Sequence, residues 1–252
     1  MTPLYISILV GIGFLSGTSN ALVGGGTLFS FPVLVWLGIP PVTTVTTNMM
    51  ALWPGTVTSA IACYPQTKNV RSTLPVRIFA VSAGGVAGAI LLLLSGDALF
   101  ANLVPWLLGG ATTLFAFYKP FVRYVLRASP DHRNVTALPI MEFFCAIYGG
   151  YFGAGIGILM LAAMALSGEH DMQSANAQRN FLVCFIQGTA VALFAFSGTV
   201  NWPVAFIVMI GSITGGYFGA RVIRFIPNEW LRWLITAAGA IFSVIYFVRV
   251  YG

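Results

Sequence analysis

The stretch GIGFLSGTSNALVGGGTLFSFP, residues 11–32, is an apolar run that glycine interrupts. Gly24, Gly25 and Gly26 follow one another, and the polar residue Asn20 comes shortly before them. Each glycine in a helix interior costs about 1 kcal/mol relative to alanine, so three in a row predict a break between two helical pieces. Inside lipid, non-helical backbone is tolerated only where protein covers it or where it lines a polar cavity. The stretch therefore predicts a broken helix at a binding site within a membrane.

Composition supports a membrane protein. The chain has 252 residues, of which 58% are hydrophobic and only 7% are charged, whereas soluble domains carry about 25% charged residues. Repeated apolar runs of about 20 residues can each cross a hydrocarbon core of about 30 Å. The net charge of +6 comes from basic residues that gather at the ends of these runs, where they act as topology signals. We therefore expect an all-α polytopic membrane protein in a lipid bilayer, with no nucleic-acid partner.

The apolar runs divide the chain into predicted membrane segments and three regions. The segments are a broken one at 4–37, which we expect to form two half-helices, helices at 43–63, 75–95 and 101–118, a second broken one at 138–166, and helices at 173–197, 202–220 and 229–250. The regions are a first membrane repeat (1–118), a basic cytoplasmic linker (119–136) and a second membrane repeat (137–252).

The two halves repeat at one offset. Moving the first half forward by 131 residues places Gly24 and Gly26 on Gly155 and Gly157. The same shift superposes two copies of the motif GGxxGA, at residues 84–89 and 215–220. Glycines at this spacing are typical of closely packed membrane helices. Two motifs in one register predict a duplication.

The charges predict how the two repeats are related. Lys68, Arg71 and Arg77 mark the loop after the second segment as cytoplasmic, whereas its counterpart, residues 197–202, has no charge. Corresponding loops then lie on opposite sides, so each repeat crosses an odd number of times. We expect two inverted repeats, each a re-entrant broken hairpin plus three transmembrane helices, about eight segments in all, with both termini outside. If the broken segments cross fully, the repeats are parallel and basic loops fall on both faces.

Arg179 is the first candidate for binding. It lies in the run NAQRN, residues 176–180, within an otherwise apolar segment. An ionisable residue inside a membrane is a functional-site hypothesis by default, and a guanidinium offers a planar fork of donors suited to an oxyanion. The alternative is that Arg179 lies shallow and extends to the cytoplasmic surface near Glu169 and Asp171.

The glycine breaks add further candidates. The 131-residue shift places Asn48 on Arg179. A half-helix that begins after Gly26 or Gly157 points unpaired N–H groups and a partial positive charge toward the break, although close helix packing could also explain these glycines. The candidate substrate-binding residues are Arg179, Asn48, Asn176, Gln178, Asn180, Asn20, Gly24, Gly25, Gly26, Gly155, Gly157, Trp53 and Gln187.

No enzyme, cofactor or metal site is expected. The two histidines lie in polar connections and the three cysteines are widely spaced, so neither a catalytic group nor a metal-ligand set is recognisable. Glu142 could carry a coupling proton, but we expect it to form a surface pair with Lys119 or Arg123.

Several motifs together carry a resemblance to a known family. They are TTNMMALWPG (46–55), FSGTVNWP (196–203), GGYFGARV (215–222) and IPNEWLRW (226–233), in addition to the first glycine break. With these motifs the chain resembles the sulfite exporter TauE/SafE family along nearly its whole length. The resemblance implies transport of small anions, chiefly sulfur oxyanions and organosulfonates, across the bacterial inner membrane.

Together these observations predict a secondary transporter of a small anion such as sulfite, thiosulfate or a sulfonate. It would work by alternating access around a midplane site formed by the two broken segments. A passive anion channel and a transporter of an unrelated small solute are the alternatives, and an intramembrane enzyme or insertase is disfavoured. The direction of transport, the coupling ion and the presence of a homo-oligomer stay open.

Overall fold

The computed structural model describes residues 2–22, 25–63, 72–117, 120–121, 124, 137–169, 171–222 and 228–251. Within these ranges the regular structure is entirely α-helical. The helices are α1 (Pro3–Leu22), α2 (Gly26–Trp36), α3 (Pro41–Cys63), α4 (Leu74–Ala116), α5 (Ala137–Tyr151), α6 (Ile156–Leu166), α7 (Met172–Phe196), α8 (Trp202–Val222) and α9 (Asn228–Tyr251). Most of the predicted linker, residues 119–136, and the residues Gly24, Lys68, Arg71, Lys119 and Arg123 lie outside the described part.

Both predicted breaks are present, but one prediction about them is wrong. α1 has 20 residues, which at 1.5 Å per residue gives a length of about 30 Å. It is therefore not a half-helix, because three glycines end it only after a full membrane length of apolar residues. α2 and α6 have 11 residues each and are half-length, and α5 has 15.

α4 consists of two limbs. Gly96 has φ 64 and ψ 169, a conformation that glycine adopts readily, and it divides the helix into residues 74–95 and 97–116. This is the turn that the sequence predicts at Gly96-Asp97. The Asp97 carboxylate accepts a hydrogen bond from the Val42 N–H at 2.9 Å, which satisfies one of the unpaired donors at the start of α3.

Each broken segment folds back on itself as a hairpin. In the first, Gly26 lies against the carbonyl of Ser16, and further along α2 Leu34 shares a cluster with Leu9. α2 therefore runs antiparallel to α1 and returns toward the end where α1 begins.

The second hairpin has the same form. Cys145 Sγ donates to the Leu159 carbonyl at 3.8 Å, and Ser167 Oγ lies 3.7 Å from Met141 Sδ. α5 and α6 are thus antiparallel, with their outer ends side by side. In both hairpins the glycines are at the tip.

The most extensive helix–helix packing in the described part joins the two halves of the chain. α1 packs along α8, and residues 74–95 pack along α5. A Cβ on Gly88 would overlap the Ile147 carbonyl, and a Cβ on Gly215 would overlap that of Phe14. These glycines belong to the two GGxxGA motifs, so the predicted close packing is confirmed at these positions.

α3 and α7 cross near the centre of the molecule. Trp53 Nε1 donates to the Cys184 carbonyl at 3.2 Å, and Thr46 Oγ1, nearer the start of α3, donates to the carbonyl of Thr199, just after the end of α7. The two helices are therefore antiparallel. Residues 97–116 and α9 are antiparallel as well, since Ser243 donates to Pro105 O at 3.2 Å while the later residue Tyr251 donates to Asn102 O at 2.9 Å.

The outer surface is apolar. Two described helices are long and apolar enough to cross a membrane, Leu74–Ala116 and Ser174–Phe196. Large side chains on them point outward: Phe79 is 76% exposed, Leu94 78% and Phe196 91%. Exposed apolar surface of this kind is typical of helices that contact lipid.

Candidate functional site

Glycine and a tyrosine build the tip of the second hairpin. Gly153 (φ 80) and Gly155 (φ 78) adopt the left-handed conformation, which other residues rarely do. The Tyr148 hydroxyl donates to the Ala154 carbonyl at 2.6 Å. The turn is thus fixed from within, and α6 begins directly after it with Gly155 as its N-cap.

Arg179 lies against this start of α6. A Cβ added to Gly157, the second residue of α6, would meet Arg179 Nη1 at 3.2 Å and Arg179 Cδ at 3.4 Å. The guanidinium also donates to Asn180 Oδ1, from Nε at 3.2 Å and from Nη2 at 2.8 Å. Of the predicted site residues, Arg179, Asn180 and Gly157 therefore lie close together, whereas a Cβ on Gly155 would face Ala111 and Phe115.

The electrostatics at this tip are unusual because two positive groups meet. The first N–H groups of a helix have no partner inside the helix and carry a partial positive charge. A cation is normally favoured at the opposite, C-terminal end, by about 0.3–1 kcal/mol. A guanidinium beside the first turn of α6 adds to the positive potential there, which is a favourable environment for an anion.

The first hairpin has an equivalent arrangement without the charge. Gly25 is the N-cap of α2, and a Cβ on Gly26 would meet the Cβ of Asn20 at 3.2 Å. Asn48, only 1% exposed, lies within 3.4 Å of Thr27 Oγ1 through its Nδ2 atom. Asn48 thus contacts the second residue of α2, as Arg179 contacts the second residue of α6.

The two tips meet each other. The rings of Phe31 in α2 and Phe152 at the second tip lie 5.4 Å apart, edge to face. A Cβ on Gly153 would come within 2.9 Å of Met49 Cε, and Met49 is the neighbour of Asn48. Phe31 and Met49 of the first half thus pack against the second tip, and Met49 is next in sequence to the candidate residue Asn48.

Gln178 forms hydrogen bonds with a different set of residues. Its side-chain oxygen accepts a hydrogen bond from Arg77 Nη1. Its amide nitrogen, Nε2, donates to Glu169 at 3.0 Å and to Ser174 at 2.9 Å. Arg77 is 1% exposed and forms an ion pair with Glu142, which is fully buried. Gln178 is therefore part of a buried polar cluster that joins α4, α5 and α7.

This cluster corrects two expectations. Glu142 does not form a surface pair with Lys119 or Arg123, because its carboxylate is buried and accepts from Arg77 Nε at 2.9 Å. Arg77 is not a loop residue but lies in the first turn of α4. A carboxylate in an apolar segment needs a buried cation, and that requirement was the sequence signal for this pair.

The remaining candidates lie along α3 and α7. The Trp53 indole N–H bonds the Cys184 carbonyl, and the ring packs against Gly188. Gln187 is 7% exposed, and its Oε1 atom has no hydrogen-bond partner among the described residues. Asn176 is partly buried on α7, three residues before Arg179.

The described residues hold no group of three or more His, Cys, Asp or Glu side chains that could bind a metal ion. The arrangement at the tips offers a guanidinium, amides and helix N–H groups. These groups can bind an anion, and none of them is a nucleophile with an adjacent base.

Comparisons with known proteins agree with this description. A family model described as sulfite exporter TauE/SafE matches residues 9–246. The chain is 28% identical over 220 residues to a "Probable membrane transporter protein" of Haemophilus influenzae, covering 86% of this chain and 85% of that protein.

Two other relatives are similar over most of their length. The chain is 30% identical over 223 residues to "Probable membrane transporter protein ORF9" of Sinorhizobium sp, covering 86% of this chain and 82% of that protein. It is 22% identical over 246 residues to "Probable membrane transporter protein YfcA" of Escherichia coli K12, covering 96% and 90%. No solved structure matches the chain. The chain therefore belongs to the TauE/SafE sulfite exporter family of membrane transporters and is not an enzyme.

Proposed function

We propose that this protein is a secondary transporter of a small anion, a sulfur oxyanion such as sulfite or an organosulfonate. It would be a multi-pass protein of the bacterial inner membrane, with its site between the two hairpin tips. The observation that carries the proposal is the guanidinium of Arg179 against Gly157 in the first turn of α6. Two positive groups that meet at a break within apolar helices are best stabilised by a bound anion.

The geometry of the donors suits an oxyanion. Arg179 provides a planar fork that can bond two oxygens of one sulfonate or sulfite group. The N–H groups at the start of α6 add neutral donors beside Arg179, and the start of α2 with the amide of Asn48 offers further neutral groups to another part of the anion. An oxyanion has three or more acceptor oxygens, so it can use several of these donors at once. The description of the matched family as sulfite exporters points to the same class of anion.

The helix directions support inverted repeats. A two-fold axis in the membrane plane reverses equivalent helices, whereas an axis along the membrane normal leaves them parallel. α3 and α7 correspond under the 131-residue shift and are antiparallel, as Trp53–Cys184 and Thr46–Thr199 indicate. Residues 97–116 and α9 correspond in the same way. We therefore take 1–118 and 137–252 as the two repeats and 119–136 as a cytoplasmic linker.

This arrangement supports the proposal of alternating access. In such transporters one repeat moves against the other around a fixed midplane site formed by broken helices. Here each hairpin packs along a helix of the other half, α1 along α8 and α5 along residues 74–95. A shift of one half relative to the other would open the region between the tips to one side at a time.

Binding to the purified protein tests the proposal. We expect sulfite, thiosulfate or a sulfonate to raise the thermal unfolding temperature of the detergent-solubilised chain, and Arg179→Ala to abolish that shift without lowering the unfolding temperature of the unliganded protein. No shift with any oxyanion, in a well-folded sample, would overturn the proposal.

A counterflow experiment separates a carrier from a passive channel. In proteoliposomes, unlabelled anion on the inside should accelerate uptake of labelled anion if the protein alternates between two states. A channel conducts without such acceleration. Equal uptake with and without internal anion would favour the channel.

A further inference from the structure

The two hairpin tips differ in charge. At the start of α6 the nearest side chain is the Arg179 guanidinium. At the start of α2 the neighbouring side chains are neutral: Asn20 lies against Gly26, and Asn48 bonds Thr27. The adjacent turn of α1 carries the neutral residues Ser16 and Ser19. An anion with one charged group would therefore be held by its charge at α6, and its other end would face the neutral side.

Three of the seven buried side-chain polar atoms without a partner among the described residues belong to α1 and α3 on this neutral side. Ser16 Oγ and Ser19 Oγ are fully buried, Asn48 is 1% exposed, and the hydroxyls and Asn48 Oδ1 have no hydrogen-bond partner among the described residues. Most buried side-chain polar atoms in proteins have a partner, because leaving one unpaired is costly. Three such atoms around one helix start therefore require a reason.

Their placement directs them toward the interior of the hairpin. Ser16 and Ser19 are three residues apart and continue the buried stripe of Leu9 and Ile12, whereas the neighbouring Gly17 packs on α8. Leu9 shares a buried cluster with Leu34 of α2 and Ala51 of α3, and also with α8. Since successive helix residues point about 100° apart, Ser16 and Ser19 lie on a different face of α1 from Gly17, and the Ser16 carbonyl lies against Gly26 at the start of α2.

Asn48 can present either end of its amide. Its link to Thr27 Oγ1 is 3.4 Å long, and a hydroxyl can donate to the amide oxygen as well as accept from the amide nitrogen. In one orientation the unpaired atom is an acceptor and in the other it is a donor. Together with two hydroxyls, which do both, this side can bond an uncharged polar group of either kind.

We propose that Ser16, Ser19 and Asn48 form a second, uncharged subsite that binds the polar end of the transported anion opposite Arg179. The inference rests on the proposed function and narrows its substrate class to anions with a sulfonate-like end and an uncharged polar end, such as a hydroxyalkanesulfonate. A cation at the start of α2 would be opposed by the positive end of the helix. An apolar group would leave the hydroxyls unpaired.

The test compares two sulfonates of similar size. Binding of 2-hydroxyethanesulfonate and of propanesulfonate is measured on the full-length protein in detergent. Wild-type protein should bind the hydroxylated anion about three- to tenfold more tightly, the worth of one or two neutral hydrogen bonds. The double variant Ser16→Ala/Ser19→Ala should bind the two equally.

A matched control uses Ser30→Ala. Ser30 is also fully buried, but its hydroxyl donates to the Gly26 carbonyl at 3.1 Å within α2. This variant should keep the wild-type preference for the hydroxylated anion. The unliganded Ser16→Ala/Ser19→Ala protein should unfold at the wild-type temperature or above it, because the change removes buried hydroxyls that have no partner.

Five outcomes would overturn the inference. Equal binding of the two sulfonates by the wild type, an unchanged preference in the double variant, or a preference lost in Ser30→Ala as well each remove the subsite while leaving Arg179 as the anion site. A lower unfolding temperature in the unliganded double variant assigns the serines to folding instead. If the wild type binds neither sulfonate nor any other oxyanion, the proposed function falls too.

Discussion

Two arginines on the inside of this protein have opposite environments. Arg77 is 1% exposed, pairs with the Glu142 carboxylate and donates to Gln178. Arg179, the next residue along α7, is partly buried, donates to the neutral amide of Asn180 and lies against the first turn of α6. The first positive charge forms a buried ion pair with a carboxylate, and the second lies beside the partial positive charge at the start of α6. The comparison underlies our proposal that Arg77 stabilises the structure and that Arg179 binds the anion.

Removing one member of the buried pair should have the largest effect on folding. Arg77→Met leaves the Glu142 carboxylate buried without its cation, which typically costs about 3–5 kcal/mol. We expect little folded protein, or an unfolding temperature far below that of the wild type, in size-exclusion and thermal-unfolding measurements.

A double variant separates structure from function at this pair. Arg77→Met/Glu142→Leu replaces both charges with apolar side chains, a change that is often neutral or stabilising. We expect it to fold and to bind the anion as the wild type does. A folded double variant that no longer binds would place Arg77 in the binding site and remove the contrast with Arg179.

Substitutions of Arg179 should weaken binding of the anion but leave folding unchanged, the reverse of what we expect at Arg77. Arg179→Lys keeps the charge but loses the planar fork, so we expect affinity for sulfite or a sulfonate to fall about tenfold. Arg179→Ala should abolish binding, and neither change should lower the unfolding temperature of the unliganded protein. If Lys and Ala behave alike, the fork rather than the charge is decisive. If both bind like the wild type, the site lies elsewhere.

A smaller effect on folding is expected from a change at Gln178, which precedes Arg179 in α7. Gln178→Met removes hydrogen bonds to Arg77, Glu169 and Ser174, and leaving buried donors unpaired costs about 1–3 kcal/mol. We expect a lower unfolding temperature and unchanged anion affinity. A loss of affinity in a folded variant would show that the cluster and the site are coupled.

Sequence reasoning located the helices and the breaks because these depend on local properties. Apolar runs and their glycines determine where α3, α7 and both hairpin tips begin and end. The partnership of Arg179 with the second tip was also accessible, since one offset aligned Asn48 with it. The partner of Glu142 was not, because Arg77 lies 65 residues earlier and only the packing of α4 on α5 brings the two together. The hydrogen bonds of Gln178 to Arg77 and Glu169 were not accessible either. Neighbouring residues of a helix point about 100° apart, so the closeness of Gln178 to Arg179 in sequence does not indicate which groups it contacts.

Gly157→Ala should have the smallest effect. It should lower the affinity for the anion but raise the stability of the protein. The atoms that a Cβ would meet first all belong to Arg179, the nearest at 3.2 Å, so the guanidinium must move by a few tenths of an ångström. We expect anion affinity to fall about threefold, while alanine in place of a helical glycine stabilises α6 by up to about 1 kcal/mol. Gly110→Ala is the control, because nothing lies within 4 Å of its added Cβ. It should stabilise the protein in the same way and leave affinity unchanged. If both variants bind like the wild type, the exact position of the guanidinium against α6 does not determine the affinity for the anion. The contrast between the two arginines would then rest on the ion pair of Arg77 with Glu142 and not on the contact of Arg179 with α6.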